Sequence, residues 1–246
     1  MFSNNMNNIH FNKNKQKIVQ EVFESSSSNY DLMNDLMSLG SHRLWKSKMI
    51  ENINFDKSDV IIDVASGTGD LSKYILKKNQ KQKIIRVDPN KEMLNKNAKF
   101  FKNYPNVSAV KSVAETLPIE SNSIDIYLIS FGLRNLVNID HSLSEAYRVL
   151  KTGGQFCCME FYKVKKPIVK ELYSFYSNII PFLGKIVNGD SKPYKYLNKS
   201  IEDFFSQDQI SKKLTNNKFS NIYKEDLLAG ILSIHHAWKL KWLKIY

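Results

Sequence analysis

Residues 60–70 read VIIDVASGTGD, and the change of rhythm inside them decides the architecture. A run of branched apolar residues reads as a strand. It breaks at Gly67-Thr68-Gly69, and DLSKYILKKN, residues 70–79, then spaces its apolar positions as a helix does. A strand, a glycine turn and a helix make the opening of a βα unit. The same alternation continues outward. KIIRVD (83–88) reads as a strand, NKEMLNKNAKFFKN (90–103) as a helix, and VSAVKS (107–112) and SIDIYLISFG (123–132) as strands. IDHSLSEAYRVLK (139–151) reads as a helix before a turn at Gly153 and Gly154, and QFCCMEF (155–161) as a strand. Repeated βα units predict an α/β fold with a mainly parallel, doubly wound sheet. Residues 219–240, FSNIYKEDLLAGILSIHHAWKL, read as two strands joined near Ala229 and Gly230, an antiparallel closing pair.

The flanks carry less pattern. Residues 1–19 read as a polar arm. Residues 20–56 show helical spacing with a break at Gly40, which predicts a helical lid. Residues 163–217 are too long for a simple loop and rich in aromatics, among them Tyr173, Phe175, Tyr176, Tyr194 and Tyr196. They predict a helical insertion within a single domain spanning 20–246.

Composition narrows the function classes. The net charge is +12, but the arginines are only Arg43, Arg86, Arg134 and Arg148, and the lysines are scattered as on a solvated surface. Charge alone would suit an anionic membrane or nucleic acid. No zinc pattern, recognition-helix signature or RNA-binding aromatic motif supports nucleic acid. No apolar run approaches the roughly 20 residues of a membrane span, and the N-terminus lacks the apolar centre of a secretory signal. A reducing compartment, bacterial cytoplasm or mitochondrial matrix, is the expectation. Cys157 and Cys158 are adjacent in an apolar run and read as core residues.

Chemistry enters at the first turn. Gly67 and Gly69 allow a ligand close to the backbone, with Thr68 between them and a helix start directing amides at it. Asp88 ends the second strand, where an acid can accept from both hydroxyls of a ribose. A dinucleotide remains an alternative, but the third glycine of that fingerprint is replaced by Ser72, and Asp70 would repel a diphosphate. Asp63 could serve a cationic amino-acid moiety, so S-adenosylmethionine is favoured. LISFGLRNLVNID (128–140) then carries a strand outward and ends it in Arg134 and Asn135, at the end of the sheet where α/β proteins bind ligands.

Several longer stretches carry a resemblance. VFESSSSNYDLMNDLMSLGSHRLWK, DVASGTGDL, AETLP, FGLRN, RVLKTGG, YKYLNKSIEDFFSQD and GILSIHH, in that order between Val22 and Trp238, resemble the UbiE/COQ5 family of quinone-biosynthesis C-methyltransferases. The resemblance implies a class I, Rossmann-like methyltransferase fold with a seven-stranded sheet and S-adenosylmethionine as donor. The acceptor it implies is a reduced polyprenyl quinone precursor, either a methoxy-polyprenyl-benzoquinol or demethylmenaquinol. Carried over by position, cofactor contacts fall on Thr68, Asp88, Val113, Ala114 and Ser130, beside Asp63, Gly67 and Gly69. Val113 stands where relatives often have Asp or Asn and cannot accept from an adenine amino group. Arg134 and Asn135 are the implied catalytic pair, and His235 matches a family histidine. Arg134 is a poor literal base but a good electrostatic partner for a quinolate oxygen or a water held by Asn135. On the residues alone, Arg134 could equally pair with a carboxylate and Asn135 cap a helix. Tyr30, Asp31, Asp35, His42, Arg43 and Trp45 are taken as lid residues without assigned chemistry. Peripheral contact with the inner membrane, other quinone-biosynthesis proteins and a homodimer are the partners left open. A methyltransferase for a soluble small molecule, or a non-catalytic cofactor-binding scaffold, is the alternative function. No metal is expected.

Overall fold

The computed structural model describes residues 40–53, 60–163 and 192–241, together with Val19, Asp35 and Ser38. Seven strands form one sheet: β1 (Val60–Val64), β2 (Lys83–Asp88), β3 (Val107–Lys111), β4 (Ile124–Ser130), β5 (Leu150–Phe161), β6 (Ser220–Leu227) and β7 (Leu232–Trp238). Their order is β3-β2-β1-β4-β5-β7-β6. β1 to β5 pair in parallel, and β7 alone runs antiparallel, to β5 and to β6. The chain order reverses direction between β1 and β4, which opens a crevice at the carboxyl ends of those strands. The sheet is therefore the one expected, closing pair included.

Side chains alternating along the strands build two cores, one on each face. On one face Ile62, Val64, Tyr127, Phe156 and Cys158 pack with Leu143, Ala146 and Val149 of α5 (Ile139–Val149) and with Ile210 and Leu214 of α7 (Gln207–Asn216). On the other, Ile61, Ile84, Leu128 and Cys157 meet Met49 and Ile50 of α1 (His42–Glu51) and Leu71, Ile75 and Leu76 of α2 (Asp70–Lys78). The adjacent cysteines thus belong to opposite cores and are free and buried, as expected.

Two segments depart from expectation. The helix expected over 90–103 is two, α3 (Lys91–Lys96) and α4 (Ala98–Phe101), broken at Asn97. The Asn97 amide donates to the Thr68 carbonyl at 2.8 Å, so the break ties these helices to the glycine turn. The turn expected at Gly153 and Gly154 is absorbed into β5 as a register shift, its backbone bonded to Lys239. Gly40, with φ of +76°, does precede a helix, α1. Most of the expected lid, Tyr30 and Asp31 included, lies outside the described residues, as do Tyr173, Phe175 and Tyr176. The part of the expected insertion that is described forms α6 (Lys192–Glu202) and α7, the latter started by a capping box of Ser206 and Gln209. No helix among the described residues is long and apolar enough to cross a membrane.

β1 and β4 pair in parallel, so their carboxyl ends lie side by side. Ala65 and Phe131, the residues just beyond them, both take left-handed backbone conformations, φ +52° and +58°. Beside them, a Cβ on Gly132 would lie 2.6 Å from that of Ala65. Gly132→Ala should therefore force the two turns apart. We expect a loss of about 1–3 kcal/mol, a fall in Tm of several degrees that differential scanning calorimetry would register.

Candidate active site

A cleft of about 620 Å³ opens at this end of the sheet. Its walls are Val19, Ala65, Gly67 and residues 88–93, 111–115, 130–132 and 135–137. Gly67 donates its N–H to Asp88 Oδ2 at 2.8 Å, and Asn90 donates to Oδ1 at 2.9 Å. Each oxygen of Asp88 keeps a further lone pair. Burial pushes the Asp88 carboxyl above its usual range, opposed by those two N–H groups and by Arg86. Ser130, at the end of β4, lines the same cleft, and its buried Oγ has no hydrogen-bond partner among the described residues. Val113 and Ala114 lie on the wall as well. An acid with spare lone pairs, an unpartnered hydroxyl and a glycine backbone suit a nucleoside ligand.

The LRN turn is built by two other elements. Leu133–Asn135 forms one turn of 3-10 helix after β4. Arg134 pairs with Glu160 of β5, a carboxylate with no exposure, which accepts from both the Arg134 side chain and its backbone N–H. Arg134 Nε also donates to Ser200 Oγ at 3.2 Å, and Nη1 to the Phe131 carbonyl at 3.0 Å. Asn135 faces the cleft, its amide nitrogen donating to the Phe131 carbonyl at 3.2 Å. Its Oδ1 accepts from the Tyr196 hydroxyl at 2.9 Å. Tyr196 and Ser200 are one turn apart on α6, so that helix holds the turn by two side chains. Behind the turn, Phe131 stacks on Phe161 at 4.8 Å and meets the edge of Trp45 of α1 at 6.4 Å.

Comparison with known proteins agrees with this geometry. The ubiE/COQ5 methyltransferase family matches residues 10–239. The ubiquinone/menaquinone biosynthesis C-methyltransferase UbiE of Rickettsia prowazekii is 43% identical over 235 residues, covering 92% of this chain and 94% of that one. The chain belongs to the ubiE/COQ5 methyltransferase family. The mitochondrial 2-methoxy-6-polyprenyl-1,4-benzoquinol methylase of Dictyostelium discoideum is 38% identical over 261 residues, with 93% and 83% covered. Among solved structures, a methyltransferase from Thermotoga maritima shares the fold with a TM-score of 0.62 at 16% identity, over 90% of this chain and 99% of that one. Human N-acetylserotonin methyltransferase, solved with S-adenosylmethionine, also gives 0.62 at 16% identity, over 89% and 58%.

As a member of this family the chain is an S-adenosylmethionine-dependent methyltransferase. Of the expected cofactor residues, Gly67, Asp88, Val113, Ala114 and Ser130 share the cleft wall, while Thr68, Gly69 and Asp63 do not line it. Asp63 is buried beneath α2 and accepts from Ser72 Oγ at 2.6 Å, so its carboxylate faces the helix rather than a ligand. Burial pushes its pKa up to about 6. Asp70 is likewise no free repulsive charge. Lys46 at 3.1 Å and Lys73 at 3.5 Å neutralise it, and against the effect of burial they hold its carboxyl below the usual range. Of the residues expected in the lid, His42 and Arg43 both pair with Asp35, and Trp45 meets Phe131 edge-on. Glu160, Tyr196 and Ser200 carry much of the site's geometry without any spacing signal for it. Tyr196 stood out only as one aromatic of the expected insertion, and Ser200 only inside the quoted YKYLNKSI stretch.

His235 is a core histidine in this family member. It is wholly buried, its Nε2 bonded to the Gln207 carbonyl and its Nδ1 to the Tyr162 hydroxyl, both at 3.1 Å, away from the cleft. A backbone carbonyl can only accept, so Nε2 carries the proton and Nδ1 accepts from Tyr162. Burial lowers its pKa to about 4. Between that value and the ordinary 6.5, the unfolded chain binds a proton that the folded one refuses, so His235 makes stability rise with pH across this window. Asp63, raised to about 6, acts with the opposite sign. The comparison of wild type with His235→Gln isolates the histidine. Urea unfolding at pH 7 and pH 4.5 should show the wild type's advantage shrinking in acid, while the variant keeps most of its turnover. A pH-independent difference, or abolished turnover in folded protein, would contradict the neutral structural role.

Proposed function

We propose that this chain transfers the methyl group of S-adenosylmethionine to a ring carbon of a reduced polyprenyl quinone precursor, a 2-methoxy-6-polyprenyl-1,4-benzoquinol or demethylmenaquinol. The observation that carries this proposal is the fixed LRN turn, which sets the Asn135 amide in the cleft that also contains Asp88 and Ser130. The names of the Rickettsia and Dictyostelium relatives support the acceptor class.

Asp88 would hold the ribose, the Ser130 hydroxyl would meet a polar cofactor group, and Val113 and Ala114 would flank the adenine. The bound donor supplies an electrophilic methyl on a sulfonium, and no general Lewis acid is required of the chain for that step. The chain's own task is to raise the electron density of the acceptor ring. Burial, with the nearby Glu160 carboxylate, raises the Tyr196 pKa, while Arg134 opposes it, so the hydroxyl stays protonated and keeps donating to Asn135 Oδ1. The Asn135 amide nitrogen, with one N–H on the Phe131 carbonyl, keeps its second N–H for an acceptor oxygen or its water. Arg134, already paired with Glu160, is not a base; its Nη2 is engaged by no described residue. Donors aimed at a developing phenolate oxygen lower the barrier to attack by the ring carbon, and fixed placement supplies the rest. The hydroxyl proton passes to water as the ring carbon takes the methyl, and loss of the ring proton with return of a proton to that oxygen restores the quinol, one proton being released overall.

The isoprenoid tail of such an acceptor needs an apolar path, and we place the working enzyme at the surface of a membrane. The net charge of +12 favours an anionic bilayer. Sedimentation with anionic vesicles at low salt should carry the protein down, and failure to do so would remove this part.

The reaction is tested with methyl-labelled S-adenosylmethionine and short-tailed, reduced acceptors of both series. Label should appear on ring carbon. Arg134→Ala and Glu160→Gln should each lower kcat by about 100-fold or more, and Tyr196→Phe by about tenfold, with donor affinity little changed. Label on oxygen, or no transfer from protein that binds the donor, would overturn the proposal in favour of a soluble acceptor or a scaffold.

A further inference from the structure

Arg86 has no role in the site as described, and its position is costly. It lies on β2, is only 1% exposed, and makes no ion pair within 4 Å among the described residues, its partners there being carbonyls and a ring. The guanidinium covers the Phe101 ring at 4.1 Å. Its Nη2 donates to the Gly67 carbonyl at 3.1 Å, Nη1 reaches the Leu94 carbonyl at 3.4 Å, and Nε has no partner among the described residues. Burial pulls its pKa down, against the fields of Asp63 and Asp88. A buried cation of this kind is worth less to stability than a well-packed apolar side chain of similar volume.

What it does reach is the glycine turn. The Gly67 carbonyl binds Arg86, while the N–H of the same residue binds Asp88 Oδ2. The next carbonyl, that of Thr68, binds the Asn97 amide, and that of Ser66 accepts from Gly69 N–H. Three successive carbonyls are thus turned onto protein donors and kept from a ligand in the cleft, where their lone pairs would repel an anionic carboxylate or a ribose oxygen. The fit is close: a Cβ on Gly69 would come 2.7 Å from both Arg86 Nε and the Phe101 ring. Gly69, Arg86 and Phe101 therefore form one packed unit beneath the turn.

We propose that Arg86 is a positioning residue for the methyl donor: from beneath the turn it fixes the Gly67 peptide, and so the register between that turn and Asp88 on which an adenosyl ligand would sit. Asn97 does the same for Thr68 from the break between α3 and α4. The proposal concerns donor binding and is independent of the acceptor.

The test is calorimetric titration of the full chain with S-adenosylhomocysteine, beside the ligand-free Tm. Arg86→Met keeps apolar bulk on Phe101 and removes every donor. Its Kd should rise about tenfold, roughly 1.4 kcal/mol, while the ligand-free Tm stays equal or rises. A merely structural arginine would instead lower Tm and leave the Kd of the folded protein within twofold, which would overturn the proposal. If Arg86→Met does not fold, Asn97→Ala decides: a Kd several-fold weaker at unchanged Tm supports the clamp, and an unchanged Kd overturns it.

Discussion

A carboxylate without access to water sits near the end of β5, and the site is arranged around it. Glu160 accepts from the Arg134 side chain and backbone and from Phe161 N–H. In so low a dielectric, neither charge could stay alone; losing one partner of such a pair costs about 3–5 kcal/mol. The pair therefore fixes where the chain goes after β4. It makes the LRN turn close on β5, and the turn in turn offers Arg134 Nε and Asn135 Oδ1 to Ser200 and Tyr196 of α6. One buried interaction thus joins a sheet strand, the turn at the cleft and a covering helix.

The strain stored next to it has the same logic. Ala65 and Phe131 both adopt left-handed conformations where two parallel strands end side by side. Neither would choose that backbone in isolation. The edge of Trp45 and the stack on Phe161 hold Phe131, and the absence of a side chain at Gly132 lets Ala65 come close. Such over-determined strain is what leaves a cleft open at the sheet's end instead of a packed core.

The fold was legible because its signals are periodic. β2 matches its expected bounds, and the antiparallel closing pair follows from two strands around Ala229 and Gly230. The site was legible only in part, for a geometric reason. Asp88 and Ser130 are the last residues of β2 and β4 and reach the crevice, whereas Asp63 is one residue short of the end of β1 and lies under α2. Polarity near a strand end does not reveal that offset, nor which face a side chain takes. His235 shows the same blindness, since a motif match cannot distinguish a histidine turned to a ligand from one satisfied by Gln207 and Tyr162. Of the two readings of Arg134, the structure shows the pairing with a carboxylate, and that pairing positions the turn.

Asp70 cannot repel a diphosphate while Lys46 and Lys73 neutralise it. The cleft, however, carries Asp88, Glu92 and Glu115 against Lys91 and Lys111 on its walls, in a chain whose net charge is +12. A local excess of acid within a basic protein is unfavourable for a pyrophosphate and favourable for a ligand carrying a sulfonium and an ammonium. The field of the whole cleft thus favours a donor of that charge, with Asp88 contributing directional acceptors.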